Sequence, residues 1–263
     1  MVQVIQVKPV KKNFLVVLKK DKEEEYIVSE ELLVEFRLLK GKELTNSDYK
    51  KFKEAYKSDE LYQKILHFAL YKQRCTQDIA SYLAKKSIFG NDQEYYLEKL
   101  RRSRILDDES YVKNFIHEAF EYKRLGIKKI QYDLKSKKLD EALYQPIINE
   151  ISTKQIQENI EYLFQKKLHQ SKNKSLNRTI QDIKQFIIRK GYNYEMVNLV
   201  INQNKEEIAS SISEDDALNK DYIAAKKKYS KDKSKEYQNI LSNLLRKGYN
   251  YNEIKVRMGV KDE

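Results

Sequence analysis

The sequence predicts a mostly α-helical protein: tandem three-helix, helix-turn-helix-like units in an elongated array, behind a small N-terminal β-containing cap. Three observations carry that expectation. The hexapeptide RKGYNY occurs twice, at Arg189–Tyr194 and Arg246–Tyr251. Six glycines and two prolines in 263 residues are too few for the tight turns of an all-β chain, and favour long helices with short connections. From about residue 46 onward apolar residues recur at helical spacing, whereas the first 28 residues are β-branched and partly alternating.

In chain order, VQVIQV and NFLVVL read as strands, Lys19-Lys20-Asp21-Lys22 as a turn and EEEYIV as a third strand. Ser29 is placed to cap a short helix, EELLVEFRLL, ending at Gly41. Residues 1–45 therefore form a cap too small to be stable alone, and it is expected to pack on the helices after it. Residues 46–106 form the first helical unit. Leu61, Ile65, Phe68, Leu70 and Tyr71 share a stripe there, Thr76 is expected to cap the next helix, and Asn91 and Glu94 have capping-box spacing. Residues 107–151 form the second unit, with Asp107 capping a long helix that stops at Gly126 and Asp140 capping a later one. Residues 152–213 and 214–263 form the third and fourth units. Gly126 and the stretch 205–217 are the expected joints.

Aligned on the hexapeptides, one frame recurs four times, starting at Ile79, Ile130, Ile183 and Ile240. Leu83, Leu134, Ile187 and Leu244 stand four residues later, on the same helix face, so both positions are expected in cores. Lys86, Lys137, Lys190 and Lys247 stand seven residues after the start, where a cation complements the helix dipole. Gly191 and Gly248 come next, as helix-ending glycines, each before a Tyr. Tyr192, Tyr194, Tyr249 and Tyr251 are expected to pack within the repeats.

Fifty-two Lys and Arg against forty Asp and Glu give a net charge of +12, which suits a polyanionic partner or an acidic protein surface. The excess is uneven: the second unit is nearly neutral, and the units flanking it are basic. Candidate contacts are Arg101, Arg102 and Arg104, directly before Leu106-Asp107-Asp108; Lys128 and Lys129, with Lys123 and Arg124; Lys135, Lys137 and Lys138; and Lys166, Lys167, Lys172, Lys174 and Arg178. The densest run holds Lys226, Lys227, Lys228 and Lys231, with Lys233 and Lys235. Arginine offers bidentate contacts to phosphate or carboxylate that lysine cannot.

Chemistry finds little support. Asp107, Asp108 and Glu109 are consecutive at a helix start, where acids cap and complement the dipole, whereas a metal nuclease needs carboxylates converging from several directions. His67, His117 and His169 are isolated, and a lone Cys75 allows neither a disulfide nor a cysteine-built zinc site. No nucleotide-binding P-loop is present. The expectation is a protein that is not an enzyme and holds no metal or cofactor. No apolar run approaches 18 residues and the first residues contain no signal-peptide core, so a cytoplasmic protein without a membrane span is expected.

ILDDESYVKNFI (Ile105–Ile116), GIKKIQYDLKSKKL (Gly126–Leu139) and the repeated RKGYNY closes resemble the RecX family, regulators of the RecA recombinase. With the four repeats the resemblance covers nearly 200 residues, and the length and β cap are similar to the longer form found in Gram-positive bacteria. The glycine of the family's closing Lys-Gly is Ser87 in the first unit and Lys138 in the second. The resemblance implies a non-enzymatic modulator, expected to be negative; a monomer is expected as well. It would lie on the RecA filament on single-stranded DNA and restrain assembly, ATP hydrolysis and strand exchange, with weaker binding to DNA alone. A stand-alone nucleic-acid-binding protein of helix-turn-helix-like units is the alternative.

Overall fold

A computed structural model of the chain describes residues 1–171, 174–230 and 234–259. The protein is mostly helical, with a small N-terminal sheet. It forms two compact units, Met1–Tyr111 and Val112–Glu263.

In the first compact unit, β1 (Val2–Val10), β2 (Asn13–Lys19), β3 (Glu23–Val28) and the short β4 (Glu43–Leu44) form an antiparallel sheet of order β3-β2-β1-β4. Period-2 alternation buries Val2, Val4, Val16, Leu18, Tyr26 and Val28 on one face. That face packs on α1 (Glu30–Glu35), capped by Ser29 as expected, and on Phe52 of α2 (Asn46–Tyr71). α2 has 26 residues, about 39 Å at 1.5 Å per residue, and serves two cores. Phe52 belongs to the cap, while Tyr62, Ile65 and Ala69 pack with α3 (Thr76–Ala84) and α4 (Gly90–Arg102). Two expected caps are corrected. Cys75, not Thr76, precedes α3, with its backbone N–H directed at Asp78; α4 begins at Gly90 after Phe89, with no side-chain cap from Asn91.

Further along, α5 (Asp108–His117) runs into a π-helical turn, Glu118–Tyr122, before α6 (Ile127–Ser136) and α7 (Glu141–Asn149). Next come α8 (Thr153–Leu168), α9 (Leu176–Arg189), α10 (Tyr194–Gln203) and α11 (Lys205–Ser211), one helix more than the three expected there. The last group is α12 (Glu214–Tyr229), α13 (Glu236–Arg246) and α14 (Tyr251–Met258). The stretch 205–217, expected as a joint, supplies Ile208 and Ile212 to the α8–α10 core and Ala217 to the α12–α14 core.

The eight apolar frame positions are 3% exposed or less. The residue after each closing Lys is left-handed in all four repeats: Ser87 (φ 60°), Lys138 (54°), Gly191 (97°) and Gly248 (91°). In three of them the next amide reaches back five residues, Ile88 to the Leu83 carbonyl, Leu139 to Leu134 and Tyr249 to Leu244, closing the turn that ends the helix.

Gly126 does something other than stop a helix. The α5 segment ends through the π turn, with Arg124 in the left-handed region (φ 51°). Gly126 has φ −76° and begins α6 as its N-cap.

Candidate nucleic-acid and protein interface

The arginine triplet lies at the C-terminal end of α4, where its charge complements the helix dipole. Arg101 donates to Glu94 at 2.6 Å and lies 3.5 Å from Glu98; Arg102 reaches Glu98 at 3.2 Å. Both carboxylates share the helix with the arginines. Glu98 stands three and four residues before them, a spacing already present in the sequence. Arg104 is exposed in a left-handed turn and makes no ion pair among the described residues. Asp107 accepts from the Ser110 amide at 3.0 Å and so caps α5. Asp108 turns away and accepts from the Thr76 amide at the start of α3, 2.8 Å. The Asp-Asp pair thus caps two helices, its own and one 32 residues earlier.

Lys128, Tyr132 and Lys135 share the exposed face of α6, with Tyr132 67% exposed. Lys129 pairs with Asp133 at 2.7 Å and lies over the Tyr132 ring. The start of α6 is a junction. A Cβ on Gly126 would lie 2.4 Å from the Gly191 carbonyl, and one on Gly191 would lie 2.5 Å from Lys129 Cβ. The Gly126 amide donates to the Lys190 carbonyl at 2.8 Å, and Tyr192 Oη to the Arg124 carbonyl at 3.2 Å. Arg124 itself donates to the buried Asn159, whose amide reaches the Phe120 carbonyl. Arg124 is therefore a joint residue rather than an open cation.

The second RKGYNY docks in the same way on the start of α9. Ser175 Oγ donates to the Lys247 carbonyl at 2.6 Å, and Asn177 to the Gly248 carbonyl at 3.1 Å. Glu214, first residue of α12, accepts from the Leu176 amide at 3.0 Å, as Asp108 does from Thr76. Each hexapeptide has a structural middle. Its Lys carbonyl is bonded, its Gly docks, its first Tyr is buried (3% exposed for Tyr192 and Tyr249), and its Asn caps the next helix. Burial holds both first-Tyr hydroxyls well above the ordinary phenol range. The ends are not packed: Arg189 and Arg246 are exposed, and Tyr194 and Tyr251 are 58% and 45% exposed. The expectation that all four tyrosines pack in the repeats is corrected for these two.

Lys226, Lys227 and Lys228 close α12, with Lys226 over the Tyr222 ring and Lys228 over Tyr229. Lys172, Lys231 and Lys233 lie outside the described residues. Among the described residues no group of three or more His, Cys, Asp or Glu is placed to hold a metal, and no helix is long and apolar enough to cross a membrane. Cys75 is buried.

No protein-family model matches the chain. Proteins named "Regulatory protein RecX" align with most of it. The Streptococcus agalactiae serotype III protein is 28% identical over 254 residues, 93% of this chain and 95% of its own. The Enterococcus faecalis protein is 25% identical over 238 residues, 89% and 88% of the two. The chain is thus similar over most of its length to RecX proteins. A further RecX relative, from Oceanobacillus iheyensis, is 25% identical over 178 residues, 68% of this chain and 65% of its own. The fold agrees with a crystal structure of "regulatory protein RecX", with a TM-score of 0.58 and 21% identity over 77% of this chain and all of that one. These relatives are named as regulatory proteins. In this chain the two hexapeptides are the junctions of the helical array.

Proposed function

We propose that this protein is a RecX-type negative modulator of RecA, which binds the RecA filament on single-stranded DNA and restrains assembly, ATP hydrolysis and strand exchange. It acts in the cytoplasm as a monomer, by binding and without catalysis. The observation that carries this reading is the near end-to-end alignment with proteins named as RecX regulators. The net charge of +12 supports it, because a protein–DNA filament is a polyanion.

The test is single-stranded-DNA-dependent ATP hydrolysis by the cognate RecA, titrated with this protein. Turnover is expected to fall at stoichiometric amounts or below. Changing Arg101, Arg102 and Arg104 to Ala together is expected to weaken the effect, with Arg104→Ala alone giving most of the loss, since the other two are held by Glu94 and Glu98. Unchanged turnover at saturating protein, with tight binding to DNA alone, would reject the reading in favour of a stand-alone nucleic-acid-binding protein.

A further inference from the structure

Between the start of α9 and the turn joining α13 to α14 lies a cleft of about 490 Å³, lined by Lys174, Ser175, Arg178, Asp221, Arg246 and Lys247. Four of these six residues are cations and one is a carboxylate. Two acids hold three of the cations in place. Asp182 takes Lys174 at 2.5 Å and Arg178 Nε at 3.2 Å, and Asp221 takes Lys247 at 2.7 Å while accepting from Tyr249 Oη at 2.9 Å. Arg246 makes no ion pair among the described residues. The cleft is thus a set of positioned cations with one arginine unspent.

We infer that this cleft seats a phosphate of single-stranded DNA, with the exposed Tyr251 at the start of α14, whose ring lies under Lys255 Nζ at 5.0 Å, offering its other face to a base. Three observations select a polynucleotide over a free anion. The volume exceeds what a lone phosphate fills and suits a nucleotide unit. The hexapeptide that supplies Arg246, Lys247 and Tyr251 is repeated 57 residues earlier, where Arg189 and Tyr194 are again exposed and Lys190 is again anchored, its Nζ on the Lys123 carbonyl. A repeated reader suits a polymer with a repeating charge. Finally, a cation paired with an exposed aromatic is the combination that binds an unpaired nucleotide without reading its sequence, whereas an acidic peptide gives the ring nothing to stack on. The inference deepens the function proposed above by naming the surface that meets the DNA strand.

The test uses the full chain and a fluorescein-labelled oligothymidylate, with anisotropy measured over a range of salt. Arg178 and Arg246 are exposed side chains, so Arg178→Ala/Arg246→Ala is expected to keep the fold, which a thermal melt checks. The double variant is expected to bind about ten-fold more weakly, with the slope of log affinity against log salt shallower by about 0.7 for each phosphate left unbound. Tyr251→Leu is expected to weaken binding by a similar factor, about ten-fold, and to leave the slope unchanged. Unaltered affinity and slope in the double variant would overturn the site. So would equal displacement of the oligonucleotide by polyglutamate, which would make the cleft a protein-carboxylate site, or by inorganic phosphate at matched concentration. The assay contains no RecA, so a failure here leaves the RecA reading standing, and a failed ATPase titration leaves this site standing.

Discussion

The left-handed residue after each closing lysine has two physical jobs, and the four repeats separate them. A non-glycine residue there costs about 1–2 kcal/mol, because its Cβ crowds the next carbonyl. Ser87 and Lys138 bear that cost, at φ 60° and 54°. Each changed to Gly is expected to raise stability by roughly 1 kcal/mol, less the extra entropy glycine gives the unfolded chain, and a raised melting temperature is the readout. Gly191 cannot be exchanged in the other direction. Its φ of 97° is only part of the reason; the other part is the Lys129 Cβ, 2.5 Å from where an Ala Cβ would stand. Gly191→Ala is therefore expected to lower the melting temperature by more than a turn glycine facing open space would, with Gly41→Ala as the comparison, since nothing lies within 4 Å of its Cβ position. Equal losses for Gly41→Ala and Gly191→Ala would show that close docking adds nothing. Gly126 completes the contrast: its φ of −76° suits any residue, and only the approach of Gly191 excludes a side chain.

At the scale of elements, the N-terminal sheet is tied to α2 by a polar cluster as well as by Phe52. Glu24 on β3 accepts from Tyr26, from Tyr49 of α2 at 2.9 Å, and pairs with Lys53 of α2 at 3.0 Å. These bonds, the Tyr26 one first, hold the Glu24 carboxyl down at about 2, against an ordinary value of 4.5. A carboxylate lowered in the folded state stabilises it above the ordinary value, and that contribution is lost as the pH falls from about 4.5 toward 2. The cap is expected to loosen over that window. Tyrosine fluorescence can report it, since the chain has no Trp. Glu24→Gln should be less stable at neutral pH and nearly flat across the window; a variant as acid-sensitive as the parent would count against Glu24 as the cause. Elements are legible in the sequence where their signal is local. The strands, the Ser29 and Asp107 caps and the four-fold apolar frame come from spacing alone. Asp108 is legible only as a first-turn acid, because its acceptor role reaches α3 across 32 residues. The π turn and Gly126 mislead for the same reason: a glycine after a helical run looks like a stop unless its docking partner is known. On the candidate site, the Glu98 pairing with the arginines is readable from its spacing. The cleft is not, since Arg178, in the first turn of α9, and Arg246, at the end of α13, stand 68 residues apart.

For the whole molecule, an array of repeats is stabilised by each unit and by the junctions between neighbours. Here the junctions have identifiable atoms. The one between α9 and the α12–α14 group rests on Ser175 and Asn177 donating to the carbonyls of Lys247 and Gly248, on Glu214 capping α9, and on Gly248 fitting under Ser175 Oγ, which an added Cβ would approach to 2.9 Å. The α12–α14 group has a small core of its own, Ala217, Leu218, Ala225, Ile240, Leu244, Tyr249 and Ile254, two of the seven being alanines. Such a core buries less apolar area than the twelve residues clustered around α8–α10, so it depends more on its junction. Weakening the junction should therefore let the last three helices open while their neighbours stay closed. Asn177→Ala removes one junction bond without touching the turn, worth about 1 kcal/mol, and Gly248→Ala forces the two surfaces apart. Hydrogen exchange read by mass spectrometry is expected to speed up in peptides from Glu214 to Met258, more for Gly248→Ala than for Asn177→Ala. Peptides from Thr153 to Gln203 should keep their protection. Uniform acceleration from Val112 onward would mean that the helices open as one cooperative block, and that the junction is not a separable source of stability.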